Sequence, residues 1–439
     1  MEEKVLTPHE KKLRRRALVG SITGSTIEWY DFLLYGTIAP IVFAPQFFPE
    51  TSQFVSIMLA YLGNALTFFI RPFGGIFFAH IGDRIGRKKT LIVTLSMMGG
   101  GTMLIGFLPN YHQIGLWAPA LLFACRIIQG LAIGGEWGGA LLLAYEYAPN
   151  KRKGLYGAIP QTGVTWGLIL GNVAFLIALY LGGDAFETWV WRVPFIASFI
   201  LIFIGLWIRK ELEETPEFQA VKDAGLVEKN PLGATLRENW KEVLIAIAVK
   251  AVETAPFYVF VIYMVGYAIR VLKYPKSELL LAILIAALVS SLFIPVCGLL
   301  SDYFGRVRVY VFGVIFLTAA TYPYFMMIQT GSFVVMLIAT IIVLGFAWSF
   351  ITATLGTMMS ELFSANVRYT GITLGYQIGA AIFSGTAPMV CVYLVEKADD
   401  QWWPIPLYIA GLAVLSLVGI VAAFYRGRRL RKDTHETAQ

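Results

Sequence analysis

The sequence predicts an all-α membrane protein of twelve transmembrane helices in two pseudo-symmetric six-helix halves. Three observations carry that prediction: an apolar composition, twelve apolar runs of membrane length, and loop motifs repeated half a chain apart. Of 439 residues, 57% are hydrophobic and only 14% charged, with a mean hydropathy of +0.67. A soluble domain shows water a far more charged surface, so the natural solvent for this chain is a bilayer.

A hydrocarbon core about 30 Å thick is crossed by roughly 20 helical residues. Runs of that length fall near 18–44, 54–80, 90–108, 116–144, 154–182, 190–208, 242–271, 278–300, 309–328, 332–360, 369–395 and 403–425. An even number puts both termini on one side. The first run is too long for a secretory leader, holds Glu28 and Asp31 and lacks a small-residue cleavage site, so it reads as a retained span.

Charge sets orientation. Twenty-seven of the 35 Lys and Arg lie on the side that carries the termini, which the positive-inside rule makes cytoplasmic. The net charge of +7 is spent at span ends and forms no basic face with interleaved aromatics, so no nucleic-acid partner is expected. Cys125, Cys297 and Cys391 all sit within spans and make no ligand pattern with His, so neither a disulfide framework nor a metal site is expected. No P-loop, dinucleotide fingerprint or nucleophile elbow is present, which leaves ATP-driven transport and hydrolase chemistry without support and implies no cofactor.

The longest polar stretch, 209–241, divides the spans six and six, giving an N-terminal half at 1–208, a cytoplasmic linker and a C-terminal half at 242–439. After the second span stands GDRIGRKK, with Asp83, Arg84, Gly86 and Arg87; after the eighth stands SDYFGRVR, with Asp302, Gly305 and Arg306. A second echo pairs Glu146 before PNKRKG with Glu361 before SANVRYTG, which contains Arg368. Two echoes at matching places indicate duplicated halves, which can rock about a site between them.

The motif D-R-x-G-R-K-K, echoed as G-x-x-x-D-x-x-G-R, resembles the signature loop of the major facilitator superfamily. The resemblance covers nearly the whole chain. IEWYDFLLYG at 27–36, RPFGGIFFAHIGDRIGRKK at 71–89, RIIQGLAIGGEWGGA at 126–140 and WRVPF at 191–195 resemble its metabolite:proton symporter branch. That branch includes shikimate, α-ketoglutarate, citrate and proline/betaine carriers. One departure is Ala79, which stands where the superfamily usually has Gly before Asp83; Gly298 keeps that place before Asp302. The resemblance implies the major facilitator fold, alternating access, a monomer and a prokaryotic inner membrane.

A charge at the bilayer centre costs on the order of 2.5–3.5 kcal/mol on insertion scales, so intramembrane ionisable residues are site candidates. They are Glu28, Asp31, Arg71, Arg126, Glu136, Lys250 and Glu253. At 1.5 Å per residue Glu28 and Arg126 lie near mid-depth, and Asp31 is one turn from Glu28, so either acid is placed to meet Arg126. Arg71 and Glu136 lie at comparable depth as a second pair. Lys250 and Glu253, three apart, share a face of the seventh span.

The functional reading gives Arg126 and Lys250, with Arg71, the task of holding a substrate carboxylate. Asp31, Glu28, Glu136 and Glu253 are the proton-coupling candidates, since an acid that loses its cation to substrate protonates more readily. The bland alternative is that these charges are paired glue fixing helix register. Tyr30, Trp137, Gln161, Tyr258, Tyr376 and Gln377 are candidate lining residues, as are Trp29, Trp166 and Trp348, although aromatics in spans more often face lipid or core. Gly130, Gly134, Gly135, Gly138 and Gly139 read as close-packing positions.

At the cytoplasmic surface Asp83, Arg84, Arg87, Glu146, Asp302, Arg306, Glu361 and Arg368 read as an inner gate, with Asp83 placed to cap a neighbouring helix N-terminus. The expected function is secondary active transport, with proton-coupled symport of a small organic acid leading. Uptake of a zwitterionic osmolyte such as proline or betaine is the alternative, weighed against by a short tail without the heptads of osmosensing relatives. A sensor or membrane enzyme predicts a catalytic cluster or extramembrane domain, and neither is visible.

Overall fold

The computed structural model describes residues 8–85, 87–134, 148–210, 231–363 and 368–436. Within them the chain forms twelve helical segments: α1 (8–47), α2 (Gln53–Ile85), α3 (Arg87–Phe107), α4 (Trp117–Gly134), α5 (153–182), α6 (Arg192–Lys210), α7 (Trp240–Arg270), α8 (Lys276–Phe304), α9 (Arg306–Ile328), α10 (Phe333–Leu362), α11 (368–397) and α12 (Pro404–Glu436). Nine segments among the described residues are long and apolar enough to cross a bilayer by themselves, and Ile92–Phe107 and Arg192–Trp207 are shorter apolar helices. The expected spans match these segments within a few residues, except that α1 begins earlier, at Pro8, α12 runs on to Glu436, and residues 135–144 of the fourth expected span lie outside the described residues.

Helices dominate because a backbone in hydrocarbon has no water to bond and must satisfy its own N–H and C=O groups. Two breaks in helix geometry fall at matching places in the halves, and further π-turns at Ile341–Ala347 and Ala380–Ser384 occur in the second. A π-turn interrupts α1 at Ala39–Phe43, with Pro40 inside it, and another interrupts α7 at Val259–Tyr263, just after Pro256. Proline removes a ladder hydrogen bond, and the chain absorbs the loss by widening one turn.

Packing repeats with the same symmetry. In the first half α1 lies on α5, α2 on α4 and α3 on α6; in the second α7 lies on α11, α8 on α10 and α9 on α12. Each contact recurs six helices later, the signature of a duplicated unit. The halves meet where α2 touches α11 and where α5 touches α8 and α10.

Small residues allow the close crossings. A Cβ on Gly134 would collide with the Arg71 carbonyl oxygen of α2, and one on Gly130 would stand 2.6 Å from the Thr67 carbonyl oxygen. In hydrocarbon, packing of this kind replaces the hydrophobic force as the main attraction between helices. The expected packing role thus holds for Gly130 and Gly134, while Gly135, Gly138 and Gly139 lie outside the described residues.

Candidate functional site

Glu28 and Asp31 of α1, Arg71 of α2, Arg126 of α4, and Lys250 and Glu253 of α7 are all buried, at 6% exposure or less. Of the seven intramembrane candidates only Glu136 lies outside the described residues, so its expected pairing with Arg71 does too, as do Trp137 and Glu146.

Arg126 is held by three acceptors. Its Nε donates to the Gly63 carbonyl oxygen (3.1 Å), one Nη to Gln129 Oε1 (2.8 Å) and the other to Asn64 Oδ1 (3.2 Å). Its guanidinium lies 4.1 Å from the Tyr35 ring centroid and 5.1 Å from that of Phe32. Arg71 stands on the other side of the same ring, 4.6 Å from the Phe32 centroid and 4.2 Å from that of Phe68. An aromatic face is the one apolar surface that attracts a cation, and the attraction strengthens without water.

Of the two acids expected to meet Arg126, Asp31 does not. It points from α1 towards α3, where a Cβ on Gly99 would stand 3.6 Å from Asp31 Oδ2, and neither carboxyl oxygen has a hydrogen-bond partner among the described residues. The reason is geometric: Arg126 is already satisfied within α2 and α4, and Asp31 leaves α1 on the face that meets α3. Glu28 lies within electrostatic reach of Arg71.

In the second half, the Lys250 ammonium pairs directly with Glu253, as three-residue spacing requires, and sits 3.7 Å from the Tyr376 ring centroid. Glu253 Oε1 also accepts from the Thr352 hydroxyl (3.0 Å), and the Glu253 carbonyl oxygen accepts from Trp348 Nε1 (2.7 Å). Lys250 and Arg71, cations of opposite halves, lie within electrostatic reach of each other.

Between them runs an aromatic seam. Phe68 meets Tyr258 at 5.3 Å, Phe32 meets Tyr258 at 6.1 Å, and Trp29 meets Phe257 at 6.2 Å, each pair joining the two halves. Buried polar atoms on these helices lack a hydrogen-bond partner among the described residues: Arg71 Nε, the Tyr258 hydroxyl, Trp29 Nε1, Asn64 Nδ2 and Gln377 Oε1. Leaving one such group unpaired costs about 1–3 kcal/mol. Four of the five are donors, so the vacant bonding capacity is of the kind an anion would fill.

Three candidates belong elsewhere. The Tyr30 hydroxyl donates to the Pro194 carbonyl oxygen (2.9 Å), which makes this side chain a strut between α1 and α6 and not a lining residue. Gln161 is buried in the tight turn Ile159–Gln161, against α1 and α8. Trp166 is 39% exposed on the outer face of α5. Sequence reasoning also missed Phe32 and Phe68, apolar rings within apolar spans. Asn64 and Gln129, by contrast, carried a readable signal as amides inside membrane-length runs.

The halves are fastened at both ends. At one end the Asp302 carboxylate accepts from Gly154 N (2.7 Å) and Leu155 N (3.0 Å), capping the first turn of α5, where an anion meets the positive end of the helix dipole. Arg306 stands 3.5 Å from Asp302 and 2.9 Å from Glu361, which draws Asp302, Arg306 and Glu361 into one cluster. The side chains of Asp83, Arg84, Arg87 and Arg368 lie outside the described residues, so the matching cap by Asp83 does as well. At the opposite end Lys276 pairs with Glu187 and the Tyr61 hydroxyl donates to the Ile262 carbonyl oxygen (3.4 Å), while within the first half Gln46 Nε2 donates to the Glu187 carbonyl oxygen.

A family model described as Major Facilitator Superfamily matches residues 23–384 and 257–439. The Shikimate transporter of Escherichia coli (strain K12) is 35% identical over 93% of this chain and 94% of its own length. A Proline/betaine transporter of Salmonella typhimurium (strain LT2) is 33% identical over 92% of this chain and 82% of its own. The Citrate-proton symporter of Klebsiella pneumoniae is 31% identical over 94% and 92%. Among solved structures, a D-xylose-proton symporter superposes with a TM-score of 0.69 at 16% identity, covering 93% of this chain and 96% of that one, a likeness of fold. Matched from near one end to the other, this multi-pass membrane chain is a transporter and not an enzyme, and it belongs to the major facilitator superfamily.

Proposed function

We propose that this protein is a proton-coupled symporter of a small organic acid that works by alternating access as a monomer in a prokaryotic inner membrane, with both termini cytoplasmic. The halves would be 1–208 and 242–439, joined by 209–241. The observation that carries the reading is that Arg71, Arg126 and Lys250 lie against aromatic rings of one seam, and that Arg71 Nε, the Tyr258 hydroxyl and Trp29 Nε1 lack partners among the described residues. Buried cations are costly and are retained where something pays for them; a substrate carboxylate between the halves does so.

In this reading the carboxylate lands between Arg71 and Lys250 and takes up vacant donors, Tyr258 and Trp29 among them. Tyr376 and Gln377 line the same site, and Arg126 completes its positive field. The body of the substrate replaces ring-to-ring contacts of the seam. Because Phe32 and Phe68 belong to one half and Tyr258 and Lys250 to the other, a bound acid bonds both and draws them together, which is binding energy spent on the conformational change.

Asp31 carries the proton, Glu28 and Glu136 adjust the field around the arginines, and Glu253 answers for Lys250 when no substrate is bound. One of these exchanges is a competition for one cation: a substrate carboxylate that takes Lys250 displaces Glu253, which Thr352 then holds. The Asp302, Arg306 and Glu361 cluster and Arg368, with Asp83, Arg84, Arg87 and Glu146 in the corresponding place of the other half, form the cytoplasmic gate. Opening it means withdrawing Asp302 from the α5 N-terminus.

The kinship with a proline/betaine transporter favours a second reading, uptake of a zwitterion. A quaternary ammonium needs an open aromatic face. Here the faces of Phe32, Phe68, Tyr35 and Tyr376 are already taken by Arg71, Arg126 and Lys250. The test is proton flux in proteoliposomes, read with a pH dye while shikimate, α-ketoglutarate, citrate, short monocarboxylates, proline and betaine are offered in turn. External alkalinisation with an acid supports the proposal. A signal with proline or betaine alone moves the substrate class to zwitterions, and silence from folded protein with every solute defeats proton symport.

A further inference from the structure

Asp31 and Arg126 do not touch, yet a line of polar groups runs from Arg126 to within one side chain's rotation of Asp31. Arg126 donates to Gln129 Oε1 (2.8 Å), and Gln129 Nε2 donates to Thr102 Oγ1 (2.7 Å). The Thr102 hydroxyl lies within reach of the Asp31 carboxyl without bonding it, one turn of α3 beyond Gly99, where a Cβ would stand 3.6 Å from Asp31 Oδ2. All four side chains are at most 1% exposed. Gly101 lets α3 come this near, for a Cβ there would stand 3.1 Å from Gln129 Cγ.

A threonine hydroxyl has one proton to give. Here that proton is directed at the Met98 carbonyl oxygen (3.1 Å), one turn back in α3, while the oxygen accepts from Gln129. Asp31 is left without a partner, the arrangement suited to a neutral carboxyl. An ionised Asp31 has a single hydroxyl at hand, and turning the Thr102 proton from Met98 to Asp31 needs only rotation about one bond.

We infer that Thr102 and Gln129 form a hydrogen-bond relay that couples the charge on Asp31 to the hold on Arg126. The inference rests on the proposed proton symport and names positioning residues within it. When Asp31 ionises, Thr102 donates to it, its oxygen becomes a better acceptor for Gln129, and the Gln129 carbonyl oxygen grips Arg126 more firmly; chains of hydrogen bonds polarise one another in this direction. When Asp31 is protonated, Thr102 returns to Met98 and Arg126 is freer to turn its charge toward a substrate carboxylate. Proton and substrate then favour each other's binding, which is the sign symport requires.

The titratable and charged groups around Asp31 are Glu28 and Tyr30 of its own helix, Arg126 of α4 behind Gln129, and Arg71 of α2 beyond Phe32. Among the described residues α3, α5 and α6 add no charge at this depth.

The test uses the full chain in proteoliposomes with the acid that gives the proton signal. Thr102→Val keeps the shape and removes the hydroxyl. It is expected to leave solute exchange within about twofold of wild type, to lower proton-driven accumulation about tenfold, and to move the pH profile of net uptake by about one unit to higher pH, as loss of one hydrogen bond to a charged group implies. Thr102→Ser restores both, and Gln129→Met, which breaks the line in the middle, shows the same displaced profile if Thr102→Val does not fold. A wild-type pH profile in folded Thr102→Val or Gln129→Met overturns the relay, as does a serine variant that fails like valine. Absence of proton movement in the wild type with any acid defeats the symport reading itself, a separate result.

Discussion

Replacing Asp302 by Asn tests the gate. The carboxylate is 7% exposed, accepts from two backbone N–H groups of α5 and faces Arg306 at 3.5 Å. A hydrogen bond to a buried charged group is worth about 1.5–3 kcal/mol, and Asn keeps one acceptor while losing the charge and one of the bonds. The loss is then about 2 kcal/mol, all of it from the state in which this end is closed. At about 1.4 kcal/mol per factor of ten, the closed-to-open ratio falls about thirtyfold.

Ser301→Cys supplies the reporter. Ser301 is fully buried beside Gly154 in the closed seam, and the native cysteines are buried. Maleimide should label Cys at 301 about ten to thirty times faster in the Asp302→Asn background than in its absence. Equal labelling rates would refute the idea that this carboxylate holds the seam.

Other outcomes follow from the same geometry. Arg126→Lys keeps the charge but loses the fork that reaches Gly63, Gln129 and Asn64, so the KM for the acid should rise at least about tenfold; a KM within twofold removes Arg126 from the site. Lys250→Met strands the Glu253 charge and should cost about 3–5 kcal/mol, read as a lowered Tm, whereas the double change with Glu253→Met recovers the Tm without recovering transport. Glu187 and Lys276 are 54% and 26% exposed, a surface pair worth about 1 kcal/mol at most, so reversing either charge should shift accessibility at that end only severalfold, and reversing both should restore it.

The bilayer made most of the fold legible. Hydropathy located the segments because a chain in hydrocarbon has few choices, and the repeated loops exposed the duplication that the helix contacts display. Lys250 and Glu253 were readable because three-residue spacing on one helix decides their contact without reference to any other. Asp31 and Arg126 were not, because depth along two helices says nothing of how each is rotated about its own axis. For the same reason Tyr30 was assigned to the wrong face. Phe32 and Phe68 gave no signal, since a ring that cradles a guanidinium has the same composition as one that faces lipid.

The fastenings between the halves have a consequence for how such a sequence can change. At one end the acceptor and donors are the Lys153 carbonyl oxygen and the N–H groups of Gly154 and Leu155; at the other the acceptor is the carbonyl oxygen of Ile262, which the π-turn of α7 contains. These are main-chain atoms, present whatever side chain a codon specifies. Genetic drift at 155 or 262 can therefore replace the side chain and leave its half of the bond standing. Selection then acts on only one partner of each of these main-chain contacts, Asp302, Thr357 or Tyr61, and two carriers can diverge widely along a seam while still closing on the same bonds.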